Sequence, residues 1–123
     1  MRIILADDHR EVRSALGLLL SEKSHVCIVG EAATADGLIA LVKSRSVELV
    51  ILDWELPGSN MPDLLKRLFE MQPRLSIIAL SSRPQFRQNA IESGVRAFVW
   101  KSDPPEALLA ALAQCSADGR NKE

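Results

Sequence analysis

Cysteine, long apolar runs and an excess of charge of either sign are all scarce in this 123-residue chain. Cys27 lies in the apolar segment Val26 to Val29 and Cys115 closes a helical pattern, a spacing that fits neither a metal-ligand set nor a disulfide framework. Two reduced thiols in a cytosolic protein are therefore expected. No apolar stretch approaches the ~18 residues of a membrane span. Met1-Arg2 leads straight into a short strand-like run rather than a signal-peptide core. The reading is a cytoplasmic protein with no membrane partner. Net charge is −1, with acids and bases interspersed, so the basic stripe needed for sequence-independent nucleic-acid binding is missing. Direct DNA binding by these residues is not expected. At 47% hydrophobic and 25% charged the chain suits one compact domain, with no room for a second folded module.

What the chain does have is a hydrophobic period that switches repeatedly. Strand-like runs fall at Arg2 to Ala6, Val26 to Ala32, Leu49 to Asp53, Ser76 to Ser81 and Val95 to Trp100. Between them, helical stripes run through Val12, Ala15, Leu16, Leu19 and Leu20, through Ala35, Leu38, Leu41 and Val42, and through Leu64, Leu65, Leu68 and Phe69. A last stripe runs through Leu108, Ala111, Leu112 and Cys115, while Phe86 to Ser93 is anchored only by Phe86, Ala90 and Ile91 and predicts the least stable helix. Pro84 and Pro105 suit first helical turns, Gly30 and Gly94 mark bends, and Thr34 and Asp103 are expected N-caps. Strict alternation with short connections predicts an α/β fold, a parallel sheet with helices on both faces. The domain is expected over 1–115, with Ser116 to Glu123 as a polar tail or the start of a linker.

Three carboxylates stand at the ends of two of these runs: Asp7 and Asp8 after Ile3-Ile4-Leu5-Ala6, and Asp53 after Leu49-Val50-Ile51-Leu52. Runs apolar on both faces read as buried parallel strands, whose last residues emerge at one rim of the sheet. Like charges a few ångströms apart raise one another's pKa unless a cation joins them, and clustered oxygen ligands suit a hard divalent ion such as Mg2+. Ser81 and Lys101 end the fourth and fifth runs, so four strand ends converge where ligands bind in such sheets. Taken together, the acids, the hydroxyl and the amine point to chemistry.

The ordered set Leu5-Ala6-Asp7-Asp8-His9, Leu52-Asp53-Trp54-Glu55-Leu56-Pro57-Gly58, Ala79-Leu80-Ser81-Ser82 and Ala97-Phe98-Val99-Trp100-Lys101 resembles the receiver domain of bacterial two-component response regulators, over Arg2 to about Cys115. Val12, Arg13 and Leu16 after the acids, with Val29-Gly30-Glu31-Ala32 later, are most similar to the branch with a LuxR-type helix-turn-helix output, a module these residues do not contain. The resemblance implies a single doubly wound, flavodoxin-like sheet of five strands in the order 2-1-3-4-5. It also implies that Asp53 accepts a phosphoryl group from a histidine kinase or histidine phosphotransfer protein, forming an acyl phosphate. Asp8, Asp53 and the backbone carbonyl of Glu55 would bind Mg2+, with Asp7 acting through water. Lys101 would pair with Asp53 at rest and with a phosphoryl oxygen afterwards, and Ser81 would donate its hydroxyl to another, beside the small Ser82. Phe98 would rotate inward as Ser81 moves, a two-state switch that alters the surface read by partners or by a second copy in a homodimer.

The chain departs from the common family pattern at several points. Glu55 and Arg83 stand at positions that tune dephosphorylation in the family. They are expected to face each other across the pocket mouth. The loop Gly58 to Asp63 lacks the usual second glycine, so the third helix is expected to start near Pro62. Trp54 and Trp100 place bulky aromatics beside the acceptor and the lysine, and Trp100 is expected to be partly exposed. Two alternatives remain open. A Mg2+-dependent phosphohydrolase with an aspartyl nucleophile would share the acid-tipped strand, but Asp53-Trp54-Glu55 is not the Asp-x-Asp of that class and a lid domain is lacking. A receiver-like interaction domain that takes no phosphate gains nothing from acids clustered beside a lysine.

Overall fold

The computed structural model describes residues 1–121. Five parallel strands, β1 (Arg2–Ala6), β2 (Cys27–Ala32), β3 (Leu49–Asp53), β4 (Ser76–Ser81) and β5 (Ala97–Trp100), form one sheet in the order 2-1-3-4-5. They alternate with α1 (Arg10–Ser21), α2 (Ala35–Ser44), α3 (Met61–Met71), α4 (Arg87–Glu92) and α5 (Pro105–Asn121). The alternation predicts the parallel sheet with helices on both faces, and the family resemblance implies this strand order.

Strand alternation divides the interior in two. Ile4, Ala6, Val50, Leu52, Ile77 and Ala79 face one side, where they pack with Leu38, Val42, Leu64, Leu65, Leu68 and Ala90 of α2, α3 and α4. Ile3, Leu5, Leu49, Ile51, Ile78, Leu80 and Val99 face the other, against Leu20 of α1 and Leu108, Leu112 and Cys115 of α5. Every residue of β3 is buried, as its place at the centre of the sheet requires.

Local chemistry sets the element ends. The Thr34 side chain accepts the Gly37 N–H and caps α2, as expected, and Asn60 caps α3 by accepting from Asp63 N–H at 2.9 Å. That cap starts α3 at Met61, one residue before the expected proline. Gly58 takes φ +108°, a conformation side chains oppose, and so turns the loop that lacks a second glycine. Pairing between β1 and β2 slips at Val29, and a side chain at Gly30 would meet Leu41 at 3.0 Å. The weakly anchored fourth segment is a 3-10 turn over Pro84–Phe86 followed by only six residues of α4.

One expectation needs correction, and two features go beyond the sequence. Asp103 does not cap α5: consecutive prolines place the helix start at Pro105, and the Asp103 carboxylate instead accepts the Trp100 N–H at 3.2 Å. Helix α5 also continues to Asn121, past the end of its apolar stripe at Cys115, so the segment from Ser116 begins as helix; residues 122 and 123 of the expected tail lie outside the described residues. Finally, the α1 stripe is only half buried. Leu20 alone in that helix is fully covered, Leu18 is 73% exposed, and a groove of about 390 Å³ separates Val12, Leu16 and Leu19 from Pro105 and Leu108. No described helix is long and apolar enough to cross a membrane.

Candidate functional site

The order 2-1-3-4-5 reverses direction between β1 and β3, and the crevice beyond the strand ends at such a point is where ligands bind in this architecture. Asp7 and Asp8 follow one of those two strands and Asp53 ends the other. By alternation Asp7 and Asp53 continue the row of Ile3, Leu5, Leu49 and Ile51, and Lys101 continues that of Val99, so all three reach the rim from the α1 and α5 side. Ser81 continues the row of Ile77 and Ala79 and belongs to the opposite face, with Phe98.

The acids differ sharply in environment. Asp7 and Asp53 are buried, whereas Asp8 is exposed. Asp7 Oδ1 accepts the His9 backbone N–H at 2.8 Å, and His9 Nδ1 lies 3.2 Å from it and 3.1 Å from Asp8 Oδ1. Asp53 Oδ1 accepts the Glu55 N–H at 3.0 Å, which pins the acceptor loop. Lys101 Nζ lies 2.9 Å from Asp7 Oδ2 and 3.5 Å from Asp53 Oδ1. The lysine thus pairs with Asp53, as expected, and also with Asp7, to which it sits closer. Burial raises the pKa of Asp53 against the opposing pull of the Glu55 N–H, with Asp7 adding to the rise and Lys101 resisting it. For Lys101, burial works against the charged form, but contact with Asp7 and the fields of Asp53 and Asp7 outweigh it, and its pKa is raised.

A cavity of about 370 Å³ beside them is lined by Asp8, His9, Val12, Asp53, Glu55, Ser82 and Lys101. Side-chain donors of Asp7, Asp8, His9 and Asp53 lie within 4.8 Å of one another. Asp7 Oδ2 is buried without an aligned hydrogen bond, since the nearby ammonium offers charge but not the alignment. A carboxylate-rich set with one such oxygen fits a hard divalent cation. Arg83 Nε meets Glu55 Oε1 at 3.2 Å, so the two face each other as expected. Ser81 is buried, its Oγ accepting the Arg83 N–H at 3.0 Å. Phe98 does not reach the cavity and packs half-buried against the α2, α3 and α4 layer. His9 joined the cluster unanticipated, with only its place after the two acids to signal it.

A family model described as the response regulator receiver domain matches residues 3–113. The chain belongs to this family. Among similar proteins, the transcriptional regulatory protein DesR of Bacillus subtilis is 30% identical over 89% of this chain and 55% of its own length. The nitrate/nitrite response regulator protein NarL of Escherichia coli is 32% identical over 94% of this chain and 54% of its own. The receiver thus spans about half the length of these relatives. The isolated REC domain of RcsB from Salmonella enterica serovar Typhimurium, solved with phosphomimetic BeF3-, superposes with a TM-score of 0.85 at 29% identity, covering 92% of this chain and 86% of that one. The receiver fold and the likeness to LuxR-family regulators thus agree with the motifs in the sequence.

Proposed function

We propose that this receiver accepts a phosphoryl group on Asp53 from the phosphohistidine of a histidine kinase or histidine phosphotransfer protein, in a Mg2+-dependent reaction in the cytoplasm. The observation that carries this reading is the convergence of Asp53, Asp8 and Lys101 on one cavity at the β1/β3 reversal, with Asp7 in contact with Lys101. An Asp53 carboxylate oxygen would attack phosphorus as the P–N bond to histidine breaks, leaving an acyl phosphate on the receiver and the electron pair on the imidazole. Asp8, Asp53 and the Glu55 carbonyl would hold Mg2+ directly and Asp7 through water. The ion would supply charge neutralisation for the phosphoryl oxygens. Lys101, whose raised pKa keeps it cationic at neutral pH, would exchange its contact with Asp53 for a phosphoryl oxygen.

The Ser81 hydroxyl would leave the Arg83 N–H to donate to another phosphoryl oxygen, and Phe98, on the same face of the sheet, would turn into the space vacated. The altered surface would be read by a partner, by an attached output module or by a second copy in a homodimer. Glu55 and Arg83 would tune the lifetime of the acyl phosphate. Beyond catalysing its own phosphorylation and dephosphorylation, the domain is not proposed to act as an enzyme, nor to contact DNA itself. The test is intact-mass measurement after incubation with acetyl phosphate and Mg2+. The parent gains one phosphoryl mass and Asp53→Asn gains none. A phosphorylated Asp53→Asn protein would place the acceptor elsewhere, and turnover of small phosphate esters would favour a phosphohydrolase.

A further inference from the structure

The β1–α1 turn supplies two of the three acids, and its backbone is held from both sides. Asp7 N–H donates to the Ala32 carbonyl at 3.0 Å, extending the β1–β2 pairing by one residue. The Asp7 carbonyl accepts Arg13 Nη1 at 2.7 Å, and the same guanidinium places Nε 2.9 Å from Glu31 Oε1. Arg13, in the first turns of α1, is only 17% exposed, while Glu31 sits on β2 with its side chain half open to solvent. These two residues belong to the motifs Val12-Arg13 and Gly30-Glu31, which the phosphoryl chemistry leaves without a role.

The Asp7 carbonyl is half of the planar peptide joining Asp7 to Asp8. Clamping that oxygen fixes the plane of the peptide and so the direction in which the next Cα and its side chain leave the turn. Asp8 is exposed and its side chain meets His9, itself exposed, at 3.1 Å, so its orientation leans on this backbone. We propose that Arg13, braced by Glu31, is a positioning residue for the cation site: it holds the Asp7–Asp8 peptide so that Asp8 meets the ion together with Asp53. The proposal rests on reading Asp7, Asp8 and Asp53 as the Mg2+ site.

Charge and positioning predict opposite outcomes. Arg13 is a cation near the acid cluster, so on charge alone its removal would tighten binding of another cation. As a clamp, its removal loosens Asp8 and weakens binding. Arg13→Lys separates the two effects, because lysine keeps the charge but cannot reach a carboxylate and a carbonyl with one rigid planar fork.

The experiment is calorimetric titration with Mg2+ alone of the parent, Asp8→Ala, Arg13→Ala, Arg13→Lys and Glu31→Gln, each checked for folding by its thermal transition. We expect the Mg2+ Kd to rise about tenfold in Arg13→Ala, the size typical of losing a partner that orients a metal ligand, and by a smaller factor in Arg13→Lys and Glu31→Gln. If Arg13→Ala does not fold, Arg13→Lys and Glu31→Gln carry the test. Parent-like or tighter binding in the folded Arg13 and Glu31 variants, with Asp8→Ala weakened, overturns the clamp and leaves the cation site standing. A parent that takes up no Mg2+ overturns the cation site and the clamp with it.

Discussion

The two faces of the sheet bring different things to the same rim. The α1 and α5 side carries Asp7, Asp53 and Lys101 on rows that are otherwise apolar, beneath a half-covered α1. The α2, α3 and α4 side brings Ser81, under a layer that includes Phe98 and Trp54. Asp7, Asp53 and Lys101 thus reach the rim from one face and the Ser81 hydroxyl from the other. Alternation along a parallel strand is enough to produce this division: a one-residue offset between β3 and β4 tips sends Asp53 and Ser81 to opposite sides.

The comparison can be broken most severely on the charged face. Lys101→Ala should slow phosphorylation by acetyl phosphate by about 100-fold, the scale for losing one preorganised electrostatic partner, whereas Ser81→Ala should slow it by about 10-fold. Time-resolved intact-mass measurement checks both, and equal effects would erase the distinction between the faces. On the packed face, Phe98→Ala should cost about 2 kcal/mol of stability for a half-buried aromatic, read from denaturant unfolding, with the site of phosphorylation unchanged.

Stability should also report the charged face, with a sign that depends on pH. The Asp53 pKa is raised in the fold, so its ionised form opposes folding above that pKa, and the penalty disappears as pH falls through the folded and then the unfolded value. Asp53→Asn should therefore raise stability at pH 7 in the absence of divalent ions, and the gain should fade as pH falls through the folded and then the unfolded pKa. The Lys101 contribution runs the other way. Its raised pKa gives stability that is full below the unfolded value and lost as pH rises through the folded one. Thermal melts across pH separate the two. The smallest effect is expected at the mouth: Glu55→Ala and Arg83→Ala should each change stability by about 0–1 kcal/mol while shifting the acyl-phosphate lifetime. Lifetimes of the singles and the double mutant decide whether the pair acts as a unit.

How much of this was legible depended on the distance over which each feature is decided. Strand runs ending in Asp53, Ser81 and Lys101 declared both the elements and their polar tips, because burial on two faces and a polar last residue are local properties. The roles of those tips came from family resemblance. Features set by a few ångströms were not legible. Lys101 reaches Asp7 at 2.9 Å as well as Asp53 at 3.5 Å, and no motif in the sequence announced the contact with Asp7. Arg13 meets Glu31 across 18 residues of sequence, and nothing in either segment announces the pairing. The stripe on α1 has the same period as the buried stripes of α2 and α3, yet the period cannot say whether a neighbouring helix closes over it. Asp103 looked like a cap because the consecutive prolines that move the helix start do not alter its own preference.

Helix α4 has six residues, too few to be stable alone in water. Its attachments are therefore specific: the buried Ala90, and Asn89, whose Oδ1 accepts the indole N–H of Trp54 at 3.3 Å. Trp54 is the residue after Asp53, and its own backbone N–H is fixed to Leu80 on β4. In hydrogen-exchange terms the helix should have little protection of its own and borrow part of it from the loop after Asp53. The amides of Arg87–Glu92 should exchange through local opening while those of β3 wait for global unfolding, so the state of the loop would set the lifetime of a helix some thirty residues away in the chain.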